Sequence, residues 1–532
     1  MKNMRVISWV WVGSAGIWAL LAAANILLGE LNQDEGWYLY AARLTAEGYL
    51  PFRDYAFTQG PVFPLIYSFL DPIVQRYGIL GGRVCTALLG LGAALVAASL
   101  ARNLAGGGIR GSYAAALAFI LIAANVYHSY FTAVVKTYSL TALFLTGSLL
   151  LLCMRRFVFA AAFASGTLVV LAAATRSSAA VAAPIVFLYL LSRKEEGRTY
   201  RVLGFAAGGL TAAIMFLLPF ALTAPEGLWF GLFRYHTARY VGSPLHLLAF
   251  KAGFLSRLAQ GYFVAVVMLI GLAIGILTGV MTKDQNRNPS PLPRSAIWLI
   301  VLAISAVHFA APFPYDDYQV FLFPPTAAVL AAAYAARIRI MTHSQNRSPS
   351  GQVVRWMLPT VFLACVCASF SSPVNQSWLI AGRDRIWWKT KTEPDLIRLC
   401  RAARLVRELS GGSDLLLTQD CYLAVEARMH VPRGMEMGPF CYFPDWSQER
   451  AERLHVLNRD MMLHLLSNCA ARVAAFSGYG LSIQAPEIVP LDAEEVELLH
   501  RTLQRRYRLH SRIPQFGQAH TTLEIYVLEG SD

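Results

Sequence analysis

Two acidic pairs and a scatter of basic residues are the groups in this chain able to do chemistry. The first pair, Asp34-Glu35, follows Asn32 and precedes Trp37, Tyr38, Tyr40, Ala41 and Leu44. Asn32 is predicted to cap an amphipathic helix whose first turn holds both acids, and acids there also complement the helix dipole. The second pair, Asp316-Asp317, sits in Phe313-Pro314-Tyr315-Asp316-Asp317-Tyr318. Its oxygens suit acceptor hydroxyls or a hard divalent ion such as Mg²⁺ or Mn²⁺, or they cap a turn. Arg and Lys can hold a phosphate, Arg through two parallel hydrogen bonds and Lys as a point charge.

These residues must be positioned by a chain that is mostly apolar. It has 532 residues, 56% hydrophobic and 15% charged, with a net charge of +14; soluble domains carry roughly 25% charged residues. Up to residue 382 there are 27 Lys and Arg against 12 Asp and Glu, and beyond it 19 against 20. The excess positive charge thus belongs to the apolar part, which excludes nucleic acid as its explanation. A bilayer core takes roughly 20 apolar residues per helix, and eleven such spans are predicted: 7–28, 80–101, 112–128, 133–152, 157–175, 178–191, 202–221, 256–281, 295–311, 319–336 and 354–371. The first has Lys2 and Arg5 ahead of it and reads as an uncleaved signal anchor.

Alternate connections, with Lys2 and Arg5, hold 17 of those 27 basic residues. The positive-inside rule puts these connections and the N-terminus in the cytoplasm and residues 383–532 outside. Ten basic residues run against the rule: Arg43, Arg53, Arg76, Arg83, Lys136, Arg176, Arg234, Arg239, Lys251 and Arg257. Arg234 and Arg239 lie in an aromatic interfacial stretch, where phosphate binding competes with headgroup snorkelling. Lys136 and Arg176 fall at outer helix ends, where an ionisable group near a span marks a candidate site.

The predicted organisation is a transmembrane module over 1–382, with an outer loop at 29–79, and an extracytoplasmic α/β domain over 383–532. In the tail, strand-like runs at Asp414–Thr418, Arg472–Phe476 and Thr522–Leu528 alternate with helical patterns near 393–409, 447–468 and 493–506. Cys400, Cys421, Cys441 and Cys469 lack zinc spacing; disulfides and buried thiols both remain open.

The order of features in the first loop resembles the GT-C membrane glycosyltransferases, specifically bacterial relatives of protein O-mannosyltransferases and of the lipid A aminoarabinose transferase. That group opens its first outer loop with an acidic pair, follows with an A-R-x-L-x-x-G helix, and carries a K-(P/G)-P-L segment before the second span. The counterparts here are Asp34-Glu35, then Ala42-Arg43-Leu44-Thr45-Ala46-Glu47-Gly48, then Gln59-Gly60-Pro61-Val62. Residues 315–333 are similar to the group's H-Y-x-L-P-x-x-P-A approach to a late span, and the tail looks like its outer α/β domain. Two positions depart: Gln59 stands where many relatives have Lys, and Lys136 where many carry an acid at the fourth span.

The resemblance implies an inverting sugar transfer from a polyprenyl-phosphate (undecaprenyl-phosphate type) donor, on the outer face of a bacterial-type cytoplasmic membrane. The acceptor could be a protein, a glycolipid or a polysaccharide. Asp34 is expected as the base and Glu35 as a holder of acceptor or metal. Donor phosphate is assigned to Arg53, Gln59, Lys136, Arg176, Arg234 and Arg239, and acceptor or metal to Asp54, Asp316, Asp317 and Tyr318. No cofactor is implied beyond an optional Mg²⁺ or Mn²⁺. A transporter or flippase for lipid-linked sugars, and a scaffold or sensor with a binding tail, are the alternatives. Neither clear mid-span ionisable residues nor internal repeats favour a transporter, and anchoring does not call for eleven spans.

Overall fold

The structure is a computed structural model describing residues 2–194, 197–238, 243–278, 292–312, 315–337, 349–371 and 393–530. Side chains are described for these except at 2–4, 316, 349–355 and 371. Arg239, the Asp316 side chain and the 382/383 boundary lie outside what is described.

Five helical segments are long and apolar enough to cross a membrane: Arg5–Leu28, Val62–Leu104, Val158–Thr175, Arg198–Phe216 and Asp317–Arg337. Two further segments are helix pairs, Gly108–Ala123 with Val126–Ala133 bent by 71° and Pro244–Gly261 with Phe263–Leu277 bent by 91°. Tyr138–Leu152, Ser177–Ser192, Arg294–Ala310 and Trp356–Phe370 are shorter and equally apolar. Each predicted span falls on one of these segments. Their outward faces carry large apolar side chains, with Leu210, Leu302 and Leu277 exposed by 63%, 62% and 86%. Apolar surface in this quantity requires lipid around it, and helices are the form in which a backbone survives there. This is a multi-pass membrane protein.

The bundle packs through small residues. A Cβ on Gly166 would lie 2.0 Å from the Phe205 carbonyl oxygen, and one on Gly208 would lie 1.9 Å from that of Phe163. Helices Val158–Thr175 and Arg198–Phe216 therefore touch backbone to backbone, as small residues allow between apolar helices. Phe323–Arg337 is buried on nearly every side and forms the centre of the bundle.

The first loop forms the expected capped helix, but not an amphipathic surface one: every residue from Glu35 to Leu44 is buried, because the tail covers the side the sequence left to solvent. Asn32 caps helix Gln33–Ala46, its side chain accepting from the Asp34 amide at 3.1 Å while Glu35 accepts from the Asn32 amide at 3.0 Å, a reciprocal capping box. A short helix, Val62–Tyr67, leads to Asp71–Leu104, which is broken at Gly78 with φ of 61°. That break has a reason: a Cβ at Gly78 would meet the Glu426 carboxylate at 2.0 Å, and Glu426 accepts from the Ile79 amide at 2.9 Å.

The tail contains a four-stranded sheet in the order Leu416–Leu417, Val473–Phe476, Thr521–Leu528, Tyr507–Phe516. The first pair is parallel with Leu416 opposite Val473, and the others are antiparallel with Val473 opposite Val527 and Tyr507 opposite Leu528. Three strands match the sequence reading. The fourth, Tyr507–Phe516, was not foreseen, because its Arg, His and Ser residues face solvent along an edge and give no apolar alternation. The helical pattern 447–468 divides into Gln448–Arg453 and Arg459–Asn468, separated where His455 turns to φ of 54° and Asn458 caps the second helix. All four tail cysteines are free thiols.

The tail does not keep its core to itself. A single apolar cluster runs from Leu31, Tyr38, Tyr40 and Phe57 of the first loop to Leu399, Tyr422, Met435 and Tyr526 of the tail. Gly36 is the contact point: a Cβ there would sit 2.2 Å from the Tyr422 amide nitrogen.

Candidate active site

The helix Gln33–Ala46 presents its N-terminal end to the bundle, where three other segments meet it. Lys136 Nζ lies 3.2 Å from Asp34 Oδ2 and donates to Asp317 Oδ2 at 2.8 Å. Tyr138 donates its hydroxyl to the same Asp317 oxygen at 2.8 Å. Trp37 Nε1 donates to Asp34 Oδ1 at 3.2 Å, so both oxygens of Asp34 are oriented. The guanidinium of Arg176 is stacked between Tyr318 and Tyr138, 4.4 Å and 4.8 Å from their ring centroids, and donates to Thr137 Oγ1 at 3.2 Å. Positive charge over aromatic faces is favoured by the ring quadrupole.

Burial grades this cluster. The side chains of Lys136 and Asp317 are 7% and 9% exposed and that of Asp34 is 32% exposed. Asp34 is therefore the carboxylate a ligand reaches, and the other two hold its surroundings. Buried Arg176 Nε and Asp317 Oδ1 have no hydrogen-bond partner among the described residues. Buried polar groups are nearly always paired, so these two atoms are open to a water or a ligand. Tyr38, stacked on Trp37 at 4.1 Å, has its phenol pushed far above its ordinary pKa by burial first and by Asp34 second.

Several expected roles land elsewhere. Glu35 does not share the open side of Asp34. It is fully buried and clamped by Arg83, whose Nε and Nη2 donate to its two oxygens at 2.7 and 2.6 Å. The remaining Arg83 donors reach the carbonyls of Ile26, Gly29 and Glu30. Glu35 is thus saturated as a structural partner, and holding acceptor or metal is not open to it in this arrangement. Arg53 and Asp54 pair with each other at 2.7 Å, and the Asp54 carboxyl is held below its usual range by the hydrogen bond from Arg53. They line a different cavity, between loop and tail.

Gln59 belongs to a loop that packs on the bundle through its neighbour Gly60. A Cβ on Gly60 would lie 1.9 Å from the Ala174 carbonyl oxygen, so this loop rests on the turn that begins at Arg176. A ring nitrogen of His236 lies 2.8 Å from the Thr58 carbonyl, tying the interfacial stretch to the same loop. Arg234 is exposed at the end of the irregular turn Phe230–Arg234. Of the expected residues, Asp34, Lys136, Arg176, Asp317 and Tyr318 come together. Trp37, Thr137 and Tyr138 join them and were missed, having aromatic or hydroxyl types that packing explains equally well. Arg83 was visible only as a basic residue against the topology rule.

Among the described residues no three His, Cys, Asp or Glu side chains gather to hold a metal ion. The Lys136 ammonium occupies the space between Asp34 and Asp317 that a bridging divalent ion would take. The residues as arranged do not fit a metal.

No protein-family model matches this sequence, and no curated protein does. Solved structures do. ArnT from Cupriavidus metallidurans bound to undecaprenyl phosphate is similar at 14% identity and a TM-score of 0.60, covering 98% of this chain and 98% of that one. The same protein in the apo state gives 14% identity, a TM-score of 0.61 and the same coverage. The arabinofuranosyltransferase AftD from Mycobacteria is more distant, at 15% identity and a TM-score of 0.48 over 99% of this chain and 40% of that one. At such identities the likeness speaks for architecture, and the architecture of this chain, bundle and tail together, is the GT-C fold.

Proposed function

We propose that this protein is an inverting glycosyltransferase that moves a sugar from a polyprenyl-phosphate donor to an acceptor at the outer face of the membrane. The observation that carries the reading is the half-exposed Asp34 carboxylate beside buried Lys136 and the aromatic-stacked Arg176. Asp34 takes the proton from the acceptor group as its heteroatom attacks the anomeric carbon. The bond from that carbon to the phosphate oxygen breaks on the opposite face, and the lipid phosphate leaves with the electron pair. Lys136 and Arg176 meet the charge that grows on the phosphate, where low dielectric makes such contacts effective. Asp317, Tyr138 and Tyr318 hold these two cations in place; Gln59 and Arg234 lie on the approach. ArnT, which shares the fold, is seen bound to undecaprenyl phosphate, and that favours a lipid-phosphate donor here.

The distribution of basic residues supports a cytoplasmic N-terminus, eleven crossings and an extracytoplasmic tail from about residue 383. The membrane is then a bacterial-type cytoplasmic membrane. The acceptor is a protein, glycolipid or envelope polysaccharide, to be identified by mass spectrometry of these fractions from cells with and without the protein. The reaction is tested by Asp34→Asn in purified protein assayed with a polyprenyl-phosphate sugar. Loss of about 10²–10⁴-fold in turnover is expected for removal of a general base; full activity retained would sink the assignment.

A further inference from the structure

Between the first loop and the tail lies a second cavity, of about 600 Å³, within the range of roughly 300–1,000 Å³ typical of small-ligand sites. Its walls share no residue with the Asp34 cluster. It opens at the far end of helix Gln33–Ala46, and Glu47 stands 13 residues from Asp34, about 20 Å away at 1.5 Å per residue.

The lining is chemically mixed. Tyr49, Arg53 and Asp54 come from the loop, and His430, Arg433, Glu436 and His455 from the tail. Tyr49 is 44% exposed and puts an aromatic side chain on the wall. Four carboxylates, Glu47, Asp54, Glu436 and Glu452, stand against two guanidinium groups, which disfavours phosphate or another anion. So many polar groups disfavour an acyl chain. Acceptor oxygens, planar donors and an aromatic face together suit a ligand rich in hydroxyls with apolar C–H faces.

The cavity is also built at a cost. Phe52, next to Arg53, has φ of 67° and His455 has φ of 54°. Two non-glycine residues in the left-handed region, on either side of one cavity, are strain that the surrounding structure must hold. Both turns reach the cavity wall, Phe52 through its neighbour Arg53 and His455 directly. Glu436 is buried, with one carboxylate oxygen accepting from the Gly434 amide at 2.7 Å. Burial pushes its pKa up to about 7, so near neutral pH it both donates and accepts, as a sugar hydroxyl does.

We propose that this loop–tail cavity is a carbohydrate-binding subsite that takes an uncharged saccharide unit, distinct from the position where Asp34 acts. The claim concerns binding and stands whether or not the transfer reaction is as described above.

The test is saturation-transfer NMR on the full chain in detergent. The probes are D-mannose, D-galactose, N-acetyl-D-glucosamine and the disaccharides mannobiose, lactose and chitobiose, with inorganic phosphate as competitor. The expected result is saturable binding of at least one neutral probe, weakened about tenfold or more in Tyr49→Ala and in Glu436→Gln, as loss of one such contact implies. Asp34→Asn should leave that binding unchanged, and phosphate should not compete. Tyr49→Ala alters an exposed side chain and keeps the test open should Glu436→Gln not fold. Absence of binding by every neutral probe overturns the proposal. So does binding that both Tyr49→Ala and Glu436→Gln leave intact, that Asp34→Asn removes, or that phosphate displaces. None of these outcomes touches the transfer assay on Asp34→Asn.

Discussion

The two ends of helix Gln33–Ala46 hold the same kinds of residue under different rules. At its N-terminal end, Asp34 meets Lys136 and, beyond it, Asp317, Tyr138 and Arg176, brought in by membrane helices and closed off from water. At its C-terminal end, Arg43 pairs with Glu47 at 3.1 Å beside His430, and Arg53 pairs with Asp54 in the open. The first set is bonded by buried aromatics and hydroxyls, the second by neighbours that remain partly solvated. A charge pair near lipid is therefore part of the architecture, whereas a charge pair at the loop–tail junction can change partners. On the proposed reading, the first is where chemistry is fixed and the second is where a ligand is accommodated.

The comparison breaks most severely at the adjacent acids. Glu35→Gln leaves the buried Arg83 with no charge partner and turns an NH2 donor toward it, and loss of one member of such a pair costs about 3–5 kcal/mol. A large fall in melting temperature or folding yield is expected. Asp34→Asn should leave the melting temperature nearly unchanged while removing transfer. If the two variants behave alike, the division between structural and reactive carboxylate is wrong.

Gly60→Ala comes next. Its methyl would press on the Ala174 carbonyl at 1.9 Å, and overpacking of this kind costs about 1–3 kcal/mol. Because that loop rests beside Arg176, the Michaelis constant for the lipid donor should rise along with the loss of stability. An unchanged constant would separate Gln59 and its loop from donor binding.

A pH effect belongs to the other end. Glu436 has its folded pKa raised from 4.5 to about 7, by burial first, with Arg433 and the Gly434 amide opposing. Below about pH 4.5 the group is protonated whether folded or not. Between 4.5 and 7 the unfolded chain ionises more readily, so stability falls as pH rises, by on the order of 3 kcal/mol in total. Melting temperatures measured across this window should decline, and Glu436→Gln should flatten that part of the curve. A slope unaffected by the substitution would place the titration elsewhere.

The smallest effect is expected for Arg53→Ala. The pair it makes with Asp54 is exposed, and exposed pairs contribute little. Its melting curve should overlay that of the parent protein. A clear shift would show that this end is as rigid as the other.

Much of this was legible in the sequence where the signal is local. Asn32 followed by Glu35 at N3 encodes a capping box by spacing alone, and each apolar run of bilayer length became a helical segment. The strand Tyr507–Phe516 was not legible, because an exposed edge needs no apolar alternation. Nor was the shared core of loop and tail, since apolar residues at 31–57 and 399–526 do not say which cluster they enter.

The sequence by itself determined the class of molecule, its apolar helical segments, the capped first-loop helix and the short roster of charges worth placing. Only the tertiary structure decided what each charge is for. Asp34 and Glu35 are neighbours on one helix, and successive helical residues point about 100° apart; one therefore faces the bundle's open cluster and the other faces Arg83. Which residue waits on each side depends on segments 48 and more than 100 positions away, and no local pattern of residues carries that distance.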